Sequence, residues 1–405
     1  MRVYYFFIKK IHEWRRSAIE ILYPSCDSVI STLDGLVTTN VNETKKRIIK
    51  CIGCERMVNE LVFLYGLRKE KNSSYEAAYQ SFARKVSALN CKSKPYEKWQ
   101  CLKVVSIGLG FFRLANEFRK KANENLLSKK HVPKRYTIPI FNILMEIENF
   151  EQVNNVLNIA LHYVSEYEKG VLLDYYSLFS EKKIEKKQIV DTYQAYIANE
   201  QAVIVGPLSD LTSIKEKVSE NAVIIRNNYF GNTPDEEILK TDVSYYNTEC
   251  FEKLIKQHFF DVPHECKFYC LKNPDAIDKV GECLKKQCHT EPQIYCLFNY
   301  SSPYMLPIML IDLISNNAKS IAVYGNTLYL SEKTHGENYI SKDTGVNNTD
   351  YWRAFADHGI IDNFLFLQKL YKTGYFQTDS YFSSLLNMDV EEYLDKMEQR
   401  WVFTR

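Results

Sequence analysis

The sequence predicts an α/β protein: a mostly parallel sheet within residues 196–405, preceded by an all-helical domain at residues 1–195. Three observations carry this. Apolar residues recur at helical spacing through most of the first 195 positions. Beyond residue 200, short apolar runs alternate with helical segments, the signature of a parallel sheet covered on both faces. Between them the charged stretch SEKKIEKKQIVDTYQAYIANEQ, residues 180–201, marks a change of composition and reads as a linking helix. The 405 residues exceed one ordinary domain. With 45% hydrophobic and 25% charged residues, the chain falls in the globular class.

The opening stretch MRVYYFFIKKIHEWRRSAIEILYP has too short an apolar segment for a signal-peptide core and lacks an A-x-A-like cleavage site. Its aromatics interleave with Lys9, Lys10, Arg15 and Arg16, which fits an interfacial helix or a packed first helix. SSYEAAYQSFARKVSAL begins with serine caps and continues at helical spacing, and FEQVNNVLNIALHYVSEYEKGVLLDYYSLFS does so over several turns. Breaks are expected near KNSSYE, CKSKPYE and KKHVPKRYTIPIF, and no fixed repeat period survives counting.

Charge is divided unevenly. Residues 1–150 hold 27 Lys/Arg against 14 Asp/Glu, leaving 25 against 36 for the rest of a chain whose totals are 52 and 50. The basic half suits an anionic lipid surface, an anionic glycan or a nucleic acid; a solvated face without any of these is the equal alternative. No nucleic-acid recognition motif occurs, so no nucleic-acid partner is expected. No transmembrane run is present. The expected location is cytoplasmic, with peripheral contact at the inner face of the membrane, through the basic N-terminal half, left open. The 11 cysteines sit in apolar contexts and suit buried thiols in a reducing compartment. Cys51 and Cys54 form a lone pair, and the spacings of His264, Cys266, Cys270, Cys283, Cys288 and His289 fit no standard zinc finger, so no metal site is expected.

The apolar runs expected as strands are AVIVG, AVIIRN, DVSYYN, KFYCL, QIYCLF and SIAVYG. Ligands of such sheets bind beyond the carboxyl ends of the strands, so candidate residues are those that follow each run. Gly206, after the first, lets a ligand or helix approach the backbone. Ser209 and Asp210 then precede a helix whose free N–H groups suit an anion. There is neither a G-x-G-x-x-G nor a G-x-x-x-x-G-K-[ST], which excludes dinucleotide and P-loop fingerprints. Arg226, Asn228 and Asn247 end the second and third runs, where an asparagine amide reads a base or a sugar, or simply caps a turn. Ser301 and Ser302, with Pro303 after them, are expected to start the helix that runs to Asn316-Asn317, a cradle for carboxylate or phosphate. The strand SIAVYG ends at Gly325 and Asn326. His335 lies in the polar loop SEKTHGENY. His358 stands one helical turn before Asp362, a spacing that lets a carboxylate orient an imidazole acting as general base.

Taken in order, these pieces resemble the animal-type sialyltransferase family, over about residues 200–376 and as a divergent, bacterial-like member. The family's large motif, V-V-G-N … R-x-N, looks like AVIVGPLSDL…AVIIRNN. Its small motif looks like SSPYMLPIMLIDLISNNAKSIAVYGN, its short H-Y-Y motif like THGENY, and its final H-x-x-x-E like His358-Gly-Ile-Ile-Asp362. Pro207 stands where the family has a nucleotide-contacting asparagine, Ser-Ser-Pro replaces Ser-Thr-Gly, and Asp362 replaces glutamate. Ala202 and Ala318 stand near the positions of the cysteines that the family joins by a disulfide.

The resemblance implies a Rossmann-like, GT-A-variant sheet domain and transfer of an acidic nonulosonic sugar from a CMP-sugar to a hydroxyl of a surface glycan or glycoprotein. It implies inversion, no metal, and no cofactor beyond the CMP-activated sugar itself. His358 would be the base, with Asp362 beside it, and His335 would hydrogen-bond the departing phosphate. Ser301 and Ser302 would hold carboxylate or phosphate. Gly206, Ser209, Arg226, Asn228, Asn247, Gly325 and Asn326 would surround the substrate and its nucleotide. CMP-Kdo as donor, and a non-catalytic binding protein with a decayed fold, are the competing expectations.

Overall fold

The structure, a computed structural model, describes residues 49, 54–180, 191–229, 238–257, 266–272, 277, 282–299, 301–331, 355 and 358–402. Helices come first: α1 (Glu55–Lys69), α2 (Tyr75–Ser87), α3 (Tyr96–Gly108), α4 (Phe112–Leu127), α5 (Thr137–Glu146), α6 (Phe150–Leu161), α7 (Glu166–Phe179) and α8 (Thr192–Ile197). The long helical pattern after Phe150 is two helices. Ser165 accepts from the Glu168 N–H while the Glu168 carboxylate accepts from the Ser165 N–H, a reciprocal cap that starts α7 afresh. α3 is buried almost all round, as only a central helix can be.

Among the described residues, seven parallel strands follow: β1 (Gln201–Val205), β2 (Val223–Asn227), β3 (Val243–Tyr246), β4 (Phe268–Leu271), β5 (Cys288–Thr290), β6 (Ser320–Tyr324) and β7 (Gln377–Thr378). Between and beyond them lie α9 (Leu211–Lys215), α10 (Thr248–Gln257), α11 (Glu282–Lys285), α12 (Met305–Ser315), α13 (Ile360–Lys372), α14 (Ser380–Leu386) and α15 (Val390–Val402). The strand order is β5-β4-β3-β2-β1-β6-β7. The chain therefore builds outward from β1 through β5, then returns to lay β6 on the other side of β1. Successive β1 side chains go to opposite faces: Ala202 and Ile204 join the large core, Val203 and Val205 the smaller one beneath α9.

One expectation about strands is corrected, and two strands were not expected. QIYCLF is not a strand: Ile294–Leu297 is a 3-10 turn. Its buried residues are Ile294 and Leu297, a helical i, i+3 spacing, and the Ile294 N–H bonds back to the Pro292 carbonyl. β5 is formed instead by Cys288-His289-Thr290, polar enough to lack an apolar run, and β7 by two residues only.

The helical layer and the sheet share one hydrophobic core. The Tyr175 ring of α7 stacks 5.5 Å from Phe366 of α13. α15 returns to the helices that come first in the chain. Glu398 accepts from the Tyr79 hydroxyl at 3.0 Å, from the Arg113 N–H at 2.7 Å and from Arg113 Nε at 3.0 Å. Beneath α13, Lys103 of α3 and Arg119 of α4 bond the two oxygens of Asp362 at 2.9 and 2.7 Å, and Arg119 also holds Glu146. Among the described residues no helix is long and apolar enough to cross a membrane.

Candidate functional site at the switch point

β1 and β6 are neighbours whose onward connections run in opposite directions across the sheet. Loops leaving their carboxyl ends diverge and leave a crevice, the usual ligand position of open parallel sheets. A cleft of about 360 Å³ lies there. Ser209, Ser213 and Lys217 form one wall, Tyr324, Gly325 and Asn326 another, and Asp379 and Tyr381 a third.

The two strand ends close on each other through glycines. A β-carbon on Gly206 would come within 2.7–2.8 Å of backbone atoms of Tyr324 and Gly325, and the Gly206 N–H donates to the Tyr324 carbonyl at 2.7 Å. Gly325 has φ +67°, and a β-carbon there would lie 2.2 Å from Ser209 Oγ. Ser209 Oγ spans the seam, within donor reach of the carbonyls of Gly206 at 2.9 Å and Tyr324 at 3.1 Å. Asp379 accepts from the Gly325 N–H at 2.8 Å and, through its other oxygen, caps α14 at the Phe382 N–H. Asp210 caps α9 through the Ser213 N–H at 3.3 Å.

Beyond Asn326 the chain turns through two non-glycine residues with positive φ, Leu328 at 44° and Tyr329 at 66°. Such backbone persists where its surroundings hold it, and is concentrated at functional sites. Here Asn326 Oδ1 accepts from the Leu328 N–H, while Tyr393 and Trp401 of α15 donate to the carbonyls of Leu328 and Tyr329, each at 3.1 Å. Tyr329 packs 5.4 Å from Tyr304, whose ring lies 5.0 Å from the His358 imidazole.

His358 sits where α12 and α13 begin side by side. Gly359, at φ +56°, is packed so tightly on Ser301 that a β-carbon would stand 2.3 Å from that of Ser301. The buried Asn363 joins the two helix starts: Oδ1 accepts from the Tyr304 N–H at 2.7 Å, and Nδ2 donates to the Ser302 carbonyl at 3.1 Å and to that of His358. His358 Nδ1 bonds the Pro303 carbonyl at 3.2 Å. A carbonyl only accepts, so this bond places the proton on Nδ1 and makes Nε2 the basic nitrogen of the neutral ring.

Several sequence-based placements change. Asp362 does not orient His358: its oxygens face Lys103, Arg119 and Ser301 Oγ at 3.3 Å, toward the helical layer. Burial opposes its ionisation, but Lys103 and Arg119 outweigh that and hold the carboxyl below its ordinary range. α12 starts at Met305 rather than at Ser301, because Tyr304 is the capping residue and its N–H is taken by Asn363. Arg226 is buried in β2 and donates to the Leu239 carbonyl at 3.0 Å. Asn228 and Asn247 tie β2 to β3: Asn228 accepts from the Asn247 N–H at 3.2 Å and Asn247 from the Cys250 N–H at 2.7 Å. Of the substrate residues expected from sequence, Ser209, Gly325 and Asn326 line the cleft and Gly206 packs against its strand ends. Ser301, Ser302 and His358 do not line it; they form the helix junction, which reaches the loop after β6 through the Tyr304 and Tyr329 rings. His335 lies outside the described residues. Asp379 and Asn363 carry no signal at their own positions, apart from the capping pattern Asp379-Ser-Tyr-Phe382.

Another polar cluster lies buried against the sheet's large-core face. Asp312 of α12 accepts from Tyr245 at 2.6 Å and Tyr193 at 3.0 Å, bonds His289 Nε2 at 3.1 Å, and accepts from Asn316 at 2.9 Å. Burial opposes a charge on His289, but Asp312 outweighs it and raises the imidazole's pKa. Among the described residues no group of three His, Cys, Asp or Glu is placed to hold a metal ion.

Comparison with protein families, with curated proteins and with solved structures returns no match. The site therefore stands on its own geometry.

Proposed function

We propose that the cleft between β1 and β6 binds a CMP-activated acidic sugar and that the protein transfers the sugar to an acceptor hydroxyl. One observation supports this most: Gly206-Ser209 and Tyr324-Asn326, from the two longest motif-like segments, meet at the switch point around a cleft of small-ligand size. In this reading Nε2 of His358 takes the acceptor proton as that oxygen attacks the anomeric carbon. The bond to the CMP phosphate breaks on the opposite face, so configuration inverts, and the electron pair leaves with CMP. The Pro303 carbonyl keeps the ring in the tautomer this requires.

A nucleotide-binding protein without turnover is the second reading. It is favoured by the position of Asp362, which leaves the imidazole a carbonyl rather than a carboxylate on Nδ1. Titration with CMP, CMP-sialic acid and CMP-Kdo, followed by assay of CMP release with glycan acceptors, separates the readings. The expected result is CMP binding plus acceptor-dependent release, with His358→Ala lowering release about 10²–10⁴-fold at unchanged CMP affinity. Binding without release supports the second reading. No binding by the intact protein sinks both.

A further inference from the structure

A second feature of the molecule lies far along the chain from the cleft, at one end of the helical layer. The segment 92–98 carries Lys92, Lys94 and Lys98 against one acid, Glu97, which is buried. The segment 129–135 carries Lys129, Lys130, His131, Lys134 and Arg135 and no acid. The fold brings the two together. Asn125, near the end of α4, donates to the carbonyls of Cys91 and Lys94 at 3.1 and 3.0 Å. Tyr96 packs 5.8 Å from Tyr136. Lys129 and Arg135 both lie over the Tyr136 ring, and Lys94 lies over Trp99. The result is one cationic surface assembled from two loops.

Apolar groups stand among these charges. Leu127, two residues before Lys129, is 41% exposed, and Tyr163, with Lys134 over its ring at 4.2 Å, is 49% exposed. Ile159, one turn before Tyr163, is 42% exposed. Exposed cations surrounding exposed apolar side chains match the interface of an anionic bilayer, where the charges meet headgroups and the apolar groups enter the acyl boundary. Nucleic acid fits less well. The rings of Tyr96, Trp99 and Tyr136 are buried and cannot stack on bases.

We propose that this surface, formed by Lys92, Lys94, Lys129, Lys130, Lys134 and Arg135 with Leu127 and Tyr163, docks the protein on an anionic lipid membrane. The proposal is independent of what the cleft binds.

The test is co-sedimentation of the full chain with vesicles of phosphatidylglycerol and phosphatidylcholine, beside pure phosphatidylcholine. Binding is expected only to the anionic vesicles. Each cation near such a surface contributes about five-fold in partitioning, so the triple variant Lys92→Gln, Lys130→Gln, Lys134→Gln should lose roughly 100-fold. A control with the same charge change on exposed residues of α1 and α2, Lys69→Gln, Arg84→Gln, Lys85→Gln, should bind as the parent does. All three patch residues are surface positions, and unchanged thermal unfolding confirms that the variant is folded. Equal loss in both triples, no binding to anionic vesicles, or tighter binding to duplex DNA or heparin than to vesicles of equal charge concentration would overturn the proposal.

Discussion

Gly359 and Asn363 set the geometry of the helix junction, and each makes its own prediction. Gly359→Ala adds a methyl 2.3 Å from the Ser301 β-carbon at a φ of +56°. It should cost about 1–3 kcal/mol, read as a lowered urea midpoint, because neither the backbone nor the neighbouring helix start has room to give. Asn363→Ala strips the buried Tyr304 N–H and two carbonyls of their bonds and should cost a similar amount. Asp362 answers a different question. Its carboxylate is fixed by Lys103 and Arg119, so Asp362→Asn should destabilise by roughly 3–5 kcal/mol, having left two buried cations short of a counter-charge. The carboxyl's pKa is depressed in the folded state. Its stabilisation is therefore present above the unfolded value, about 3.9, and is lost as pH falls through the lower folded value. A variant that instead kept its melting temperature and lost only turnover would return Asp362 to a role beside His358.

The strands show what the sequence could and could not reveal. β1, β2 and β6 are buried on both faces, and runs such as AVIV and SIAVY announce that burial as unbroken apolar stretches. β5 could not be seen this way: Cys288, His289 and Thr290 sit at the sheet's edge and the histidine's polar atom is satisfied by Asp312, a contact no local pattern encodes. The same limit hid Asp379, which reaches the Gly325 N–H across 54 positions of chain. Glycines at strand ends were legible as sites of close approach, and the loop after β6 tests that reading. Gly325→Ala should weaken any cleft ligand and lower the unfolding midpoint together, since its β-carbon would strike Ser209, which holds the seam. An alanine variant of parental stability and affinity would show that the seam opens freely.

At the scale of the molecule, the shared core makes pH a measure of packing. Glu291, 1% exposed at the end of β5, has no hydrogen-bond partner on either oxygen among the described residues. Burial pushes its carboxyl up to about 8, with Lys272 opposing and Asp312 adding to the shift. Between about 4.3 and 8 the unfolded chain gives up a proton that the folded chain keeps. Stability should thus fall as pH rises through that window, with the loss complete above it. Glu291→Gln, which mimics the protonated form, should remove this dependence and be the more stable protein at pH 8 by chemical denaturation. The return of α15 to α4 has a consequence in time. Arg113 meets Glu398 across 285 positions of chain. At about 5–20 residues per second a ribosome takes roughly 15–60 s to add that length. Through that interval the nascent helices lack the last piece of their own packing, so chaperone dependence during translation should be heaviest for this layer although it is made first.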